Sequence, residues 1–397
     1  MNKNIKLAVA GAVLALSATA NAGIIIPAGE WTLDVNGNVN AFAIMSRAKD
    51  ANVIDGGLAT VKDSAGERSG QGINTGLLPA WLGFTGTTRQ NDVDVSFTIS
   101  MQPNVSDNAV SGDVKVPLFR QSFVTFGDKS WGSIKLGKDI GIFASDAILN
   151  DMTLLGVGAG GQTSGGSTTL GGIGSGYIYA GWKGQVAYTT PNMNGFQATV
   201  GITNPNQGVS GVGVTSTGDL NQDRFGLEGK ASYSFAANDV TGKVWVGGAS
   251  YKVKPTAAIE YTADVFDIGA NVNVAGFGAT GYYYRGEGVG SYMMLDRGVS
   301  SAGNKRDSDG GYVQLTYVTP IKTKLGVAYG ISSLDRANAA DSNALLFKDN
   351  ERITVGAYHP LTKHLNLVAE YNNIETKAQG GAKNESNSVS LGAILFF

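Results

Sequence analysis

Two histidines and one charged triplet are the residues of this chain best placed to do chemistry. His359 and His364 bracket the tetrad "PLTK". Acyl or peptide hydrolysis needs an imidazole beside a nucleophile or a partner base, and the only two histidines flank a short turn, the wrong place along the strands for such a site. The chain contains no cysteine, which excludes thiol catalysis and thiolate metal sites. "GVGAGG" and "GGIGSG" have no lysine and no strand-to-helix context, so they are not phosphate-binding loops. No metal-ligand spacing occurs. The reading is a protein without enzymatic activity, cofactor or metal. The charged triplet is different. In "RFGLEGKASYSF", Arg224, Glu228 and Lys230 share one parity, opposite Phe225, Leu227, Ala231, Tyr233 and Phe235. Fixed charges on one face of a strand can orient and select mobile ions.

The elements that carry such charges must be strands with one oily face. In "VDVSFTISM", Val93, Val95, Phe97, Ile99 and Met101 oppose Asp94, Ser96, Thr98 and Ser100. The same alternation appears in "EWTLDVNGNVNAFAIM", in "HLNLVAEY" with Glu370 on the polar face, and in the final "NSVSLGAILFF". A slip of one residue would exchange the two faces, and in lipid each misplaced Arg or Lys would cost about 2–4 kcal/mol near the midplane. Glycine is 57 of 397 residues and proline only 9, which suits strands and turns more than helices.

The separators alternate between short and long. Short ones, dense in turn formers, fall at 87–92, 127–131, 191–195, 236–239, 275–276, 320–323 and 360–363. Long ones fall at about 48–79, 102–117, 139–182, 205–222, 254–258, 287–309, 332–350 and 376–387. Seven turns and eight loops join sixteen strands. The predicted fold is therefore all-β, a transmembrane antiparallel up-and-down β-barrel with short periplasmic turns and long extracellular loops. Sixteen strands leave a bore too wide for wall side chains to fill, so water occupies it. Closure satisfies every backbone amide in hydrocarbon without an open edge. A secreted propeller, sandwich or β-helix is the alternative, but no 40–50-residue motif repeats. Phe396 and Phe397 are expected in an aromatic girdle at the periplasmic end, which leaves Ile394 and Phe396 unexplained on the nominal inner face.

Residues 1–22, "MNKNIKLAVAGAVLALSATANA", have a basic start at Lys3 and Lys6, an apolar run from Leu7 to Leu16 and a small-x-small ending. They are predicted to be a secretory signal peptide, with the barrel domain spanning 23–397. Its removal leaves 28 basic against 32 acidic residues, a balance unsuited to a nucleic-acid partner.

Three stretches then carry a resemblance. "LFRQSFVTFGDKSWGSIKLGKD" (118–139), "VAYTTPNMNGFQATVGITNPN" (186–206) and "LGFTGT" (82–87) resemble hairpins of Gram-negative general porins of the proteobacterial, trimeric type. The resemblance implies a homotrimer in outer-membrane lipid and lipopolysaccharide. It implies a third loop folded into the lumen and passive diffusion of ions and small hydrophilic solutes. Phe397 resembles the signal read by the outer-membrane assembly machinery. On this reading Asp146 and Asp151 are the acids of the third loop, with Asp139 at its start. Arg120, Lys135 and Lys138 are wall bases, followed by Arg224 and Lys230, and Glu228 also lines the lumen. Trp81 and Thr85 stand where many relatives carry bases, which leaves the sign of ion selectivity open. A channel selective for organic acids, phosphate or sugars is the alternative; it rests on those missing bases and on Tyr282, Tyr283 and Tyr284. A surface adhesin or plugged structural barrel is a further one.

Overall fold

The structure, a computed structural model, describes residues 23–103, 118–160, 168–204, 224–256 and 259–397. The expected signal peptide, most of loops 102–117 and 205–222, and the centre of loop 139–182 lie outside the described residues. In chain order the strands are β1 Ile24–Ala28, β2 Trp31–Ala48, β3 Ser69–Asn74, β4 Trp81–Gln90, β5 Val93–Gln102 and β6 Leu118–Asp128. They continue as β7 Gly132–Ile140, β8 Trp182–Thr189, β9 Phe196–Thr203, β10 Gly226–Ala237, β11 Val240–Thr256 and β12 Ile259–Val274. The last six are β13 Phe277–Glu287, β14 Asp307–Val318, β15 Lys324–Leu334, β16 Phe347–Pro360, β17 Leu365–Ala378 and β18 Lys383–Phe396.

Every neighbour pair is antiparallel, and β18 returns to β2, so the sheet closes. Eighteen strands occupy sixteen wall positions because two positions are shared. On one edge of β2, β18 pairs with residues 38–48 and β1 with residues 31–35. On the other edge, β3 pairs with residues 42–47 and β4 with residues 32–38. The break between β3 and β4 is the segment "TGLLPA". Pro79 lacks the amide a ladder needs, and the chain dips inward. There Asn38 and Asn40 donate to the carbonyls of Pro79 (2.9 Å) and Leu78 (3.0 Å). All seven short turns fall where the residues placed them. The loop expected at 376–387 contracts to four residues, because β17 and β18 stay paired out to Lys377 and Lys383.

The faces alternate as the sequence pattern requires. On β18, Asn384, Ser386, Ser388 and Ser390 are buried inward, while Val389, Leu391 and Leu395 are exposed outward. Val200, Val246, Val313, Leu315, Val327 and Val355 continue an apolar outer belt. Water would not tolerate so large an exposed apolar surface, whereas lipid covers it. At the short-turn end, Phe196, Tyr233, Phe277 and Tyr317 are exposed, and Phe277 and Tyr317 lie 4.5 Å apart centroid to centroid. That is the girdle. Phe396 is not part of it: it turns inward against Trp81, with ring centroids 6.5 Å apart. Ile394 is buried in the same internal apolar cluster. Both therefore pack against lumenal filling, which explains their parity.

The bore is not simply water. The described parts of loop 141–181 (residues 141–160 and 168–181), loop 288–306 and the inward dip at 75–80 enter it. Phe143, Ala147, Ile148, Leu154, Ile173 and Ile178 of the third loop pack against Trp245, Tyr251, Tyr282, Tyr284 and Tyr312 of the wall. These loops place apolar mass inside the barrel and narrow its bore.

Candidate functional site

The first half of the third loop is the part whose sequence has helical character, "IGIFASDAILNDMTLL". It forms α1, Ser145–Asn150, and a 3-10 turn at Met152–Leu155. Asp151 caps that turn, accepting from the Thr153 amide at 2.9 Å.

Wall residues hold the loop on several sides. On β10, Glu228 accepts from the Phe143 amide (2.8 Å). From β14, the Tyr312 hydroxyl donates to the Ala147 carbonyl (2.8 Å), and Gln314 bonds Met152 N–H and the Asn150 carbonyl. On β15, Ser332 Oγ accepts from the Gly176 amide (2.9 Å). On β17, Glu370 accepts from the amides of Val157 (2.9 Å) and Gly158 (2.8 Å) and from the Tyr358 hydroxyl (2.6 Å). Arg352 on β16 stands 3.7 Å from Asp151. The loop is a strap across the lumen, tied to both sides.

The charges form opposed pairs. Asp146 on α1 is contacted by Lys230 of β10 (2.9 Å) and by Lys243 of β11. Burial pushes its carboxyl up, but the two ammonium groups outweigh burial and hold it down at about 2. Asp139 pairs with Lys135 and accepts from Gln121 at 3.0 Å. Glu228 pairs with Lys183 at 2.6 Å and also accepts from the hydroxyls of Tyr251 (2.6 Å) and Thr203 (3.2 Å). Both members of that last pair are buried. In the first two the burial is one-sided: the side chains of Lys230, Lys243 and Lys135 are 23%, 33% and 23% exposed, against 4% for Asp146 and 3% for Asp139. Lys324 of β15 lies 5.0 Å from the Tyr358 ring centroid.

The other residues named from sequence are spread more widely. Asp151 is buried and accepts from Gly172 N–H (3.0 Å) and the Tyr177 hydroxyl (2.8 Å). Burial and the Asp151 charge push the Tyr177 phenol well above its usual range. Arg120 sits at a bulge of β6, where the register passes from Ser100↔Gln121 to Met101↔Phe119. Its guanidinium lies 6.0 Å from the Trp182 ring, beside a cavity of about 360 Å³ that Lys138 and Tyr179 also line. Lys138 is exposed, has the parity of outward-facing Leu136, and donates to the Phe119 carbonyl at 2.9 Å. Arg224 is exposed and precedes β10, which starts at Gly226. Phe397 exchanges both backbone hydrogen bonds with Gly37. The structure thus brings together Asp146 with Lys230 and Asp139 with Lys135, and sets Arg120 and Lys138 at the rim.

Sequence reasoning missed Lys183, Lys243 and Arg352. Lys243 has the parity of Trp245 and Tyr251, and that pattern within β11 was the available signal. The tyrosine run divides by face: Tyr282 and Tyr284 are buried inward, and Tyr283 is exposed outward. Tyr282 stacks on Tyr312 at 5.7 Å and donates to Asp267, so these rings are packed into the loop's seat. His359 Nδ1 meets Thr323 Oγ1 at 2.9 Å beside a short turn. Among the described residues no group of carboxylates or histidines could hold a metal, and no helix is long and apolar enough to cross a membrane; the crossing is made by strands.

A closed antiparallel wall, apolar outside and polar inside, with a strap of paired charges across its bore, defines a membrane-spanning β-barrel channel. The Gram-negative porin family profile matches residues 7–379, and the chain belongs to that family. It is a channel of the outer membrane for passive diffusion of small solutes, a role that belongs to a pore rather than an enzyme. Among solved structures it is similar to the outer membrane channel DcaP of Acinetobacter baumannii (TM-score 0.67, 18% identity, 94% of this chain and 99% of that one). It is also similar to an anion-selective porin from Comamonas acidovorans (0.64, 16%, 93% and 100%). Salmonella typhi OmpF in complex with daunomycin is a more distant likeness (0.56, 12%, 94% and 100%). No curated protein matches the sequence significantly.

Proposed function

We propose that this porin favours small anions, and that Lys230, Lys243 and Lys135 set the preference. One observation carries the reading: the lysine side chains of these lumen pairs are partly exposed, and the carboxylates that balance them, Asp146 on the strap and Asp139 on β7, are buried. A passing ion experiences mainly the exposed member of each pair, because a field across water is strongly attenuated. Lys324 adds a cation on the same inner face. The similar Comamonas acidovorans channel is described as anion-selective, which agrees with this assignment. Asp146 acts as the strap's acid, and Asp139, Asp151 and Glu228 hold the strap and the lysines in place. Swelling of liposomes containing the protein tests the idea. A sugar acid should enter faster than an amino sugar of similar size; the reverse order would reject it.

Three further features belong to this reading. Residues 1–22 are an export signal removed in the periplasm. The barrel assembles as a homotrimer in lipid and lipopolysaccharide; the similar Vibrio cholerae OmpT is described in a trimer form. The assembly machinery reads Phe397.

A further inference from the structure

We propose that ions cross this channel along one side of the lumen, over β6–β10, and that threonine hydroxyls set between the lysines there favour oxyanions such as carboxylates over halides. Burial divides the inner wall into two sides. On one side, Thr280, Gln314, Ser332, Thr354, Asn372 and Ser390 face inward and are buried, where the strap is hydrogen-bonded to β14, β15 and β17. On the other, Thr125, Lys135, Thr189, Thr199 and Lys230 are partly exposed.

The strand registers place these five side chains in one row. Thr125 of β6 stands opposite Lys135 of β7, and Lys135 opposite Ala187 of β8. Two residues on, on the same face, Thr189 stands opposite Thr199 of β9, and Thr199 opposite Lys230 of β10. Each of these lysines thus has a threonine as a cross-strand neighbour, with Cβ atoms about 4.5–5.5 Å apart. Thr189 and Thr199 meet oxygen to oxygen at 2.9 Å. One hydroxyl proton is used inside that pair, and the other remains for an acceptor in the lumen. Beyond β5 the row ends at a carboxylate, Asp34, opposite Thr85 of β4.

An ammonium alone draws any anion, because the attraction depends on charge and distance. Discrimination between anions needs a second donor. A carboxylate or a phosphate carries two or more localised acceptor oxygens, so one can take the ammonium and another the neighbouring hydroxyl. A halide is a single diffuse centre and bridges the two less well. One such hydrogen bond, exchanged for a bond to water, favours the bound ion about threefold to tenfold. A gain of that size still lets the ion leave.

The inference rests on the anion reading above and narrows it to a class of anion. Two measurements test it. In the first, a planar bilayer separates potassium chloride from potassium acetate, and the zero-current potential gives the acetate-to-chloride permeability ratio. The wild-type ratio should exceed the free-solution mobility ratio of the two ions about threefold or more. A Thr125→Val, Thr189→Val, Thr199→Val channel should fall back to the mobility ratio, and Thr→Ser changes at the same positions should restore the excess. A wild-type ratio at the mobility value, or an excess that survives the valine changes, overturns the role of the hydroxyls. The second measurement needs no triple variant. The chain has no cysteine, so Thr199→Cys and Ser390→Cys each carry a single thiol. A small methanethiosulfonate reagent should reduce the current through Thr199→Cys and leave Ser390→Cys unaltered. No block at Thr199→Cys, or equal block at Ser390→Cys, overturns the path. Preference for potassium over chloride overturns the anion reading and this inference with it. Preference for chloride, with acetate at its mobility ratio, overturns this inference alone.

Discussion

The Lys230 ammonium lies 2.9 Å from the Asp146 carboxylate, joining a wall strand to a loop residue 84 positions away in sequence. The lysine is partly in water and the carboxylate is not. Asp146→Asn should therefore release the full field of Lys230 and Lys243 into the lumen and strengthen anion preference. A Lys230→Gln, Lys243→Gln double variant should weaken or invert it. Zero-current potentials of the two variants in the same salt gradient should move in opposite directions. Movement in one direction would show that these groups do not face the ion path.

The same contact sets an acid limit. The Asp146 carboxyl is held at about 2 in the folded channel, below its ordinary value near 3.9. A depressed carboxylate stabilises the fold above its unfolded pKa, and that contribution is lost as pH falls through the folded one. The Asp146 tie of the strap should accordingly hold at pH values around 4 and be lost only near 2. Single-channel noise recorded across this range checks it. In the Lys230→Gln, Lys243→Gln variant, loosening should begin at distinctly higher pH.

Lys183 and Glu228 form a pair with both side chains out of water. Removing one charge strands the other, at a cost of about 3–5 kcal/mol. The two directions should differ. Glu228→Gln leaves a buried ammonium without a carboxylate. Lys183→Met leaves a carboxylate that still accepts from Phe143 N–H, Tyr251 and Thr203. Urea unfolding in lipid should show Glu228→Gln as the more damaging change.

Thr199 and Val200 are neighbours on β9 with opposite faces: Thr199 pairs with Lys230, and Val200 is exposed outward. Val200→Arg should cost about 2–4 kcal/mol of folding stability in lipid. Thr199→Arg should cost far less and should raise anion preference. Equal penalties at both sites would contradict the assignment of faces.

Most of the wall was legible in the sequence, because lipid on one side and polar lumen on the other impose a strict period of two. Turn chemistry is local, so all seven short turns could be placed. The shared positions of β1 with β18 and of β3 with β4 were not legible. They depend on which residues lie beside β2 after closure, and that division of each edge between two strands leaves no local mark. Pro79 hints at the second break only once its neighbours are known to be strands. The lumen was half legible. Helical character around Asp146 showed in the sequence, and Asp146 and Lys230 were both named. Their contact, and the part played by Lys243, were not visible. The glycine-rich half of the loop gave no conformation because its partners, such as Ser332 for Gly176, lie on distant strands. Arg224 was placed within a strand by parity alone, and the ladder starts two residues later.

The central claim is a water-filled barrel whose accessible charges are cationic. Its most direct test is the zero-current potential of single channels in a planar bilayer under a potassium chloride gradient. The account predicts stepwise, ohmic openings and a potential displaced toward the chloride equilibrium value. No openings, or a potential displaced toward the potassium value, would contradict it.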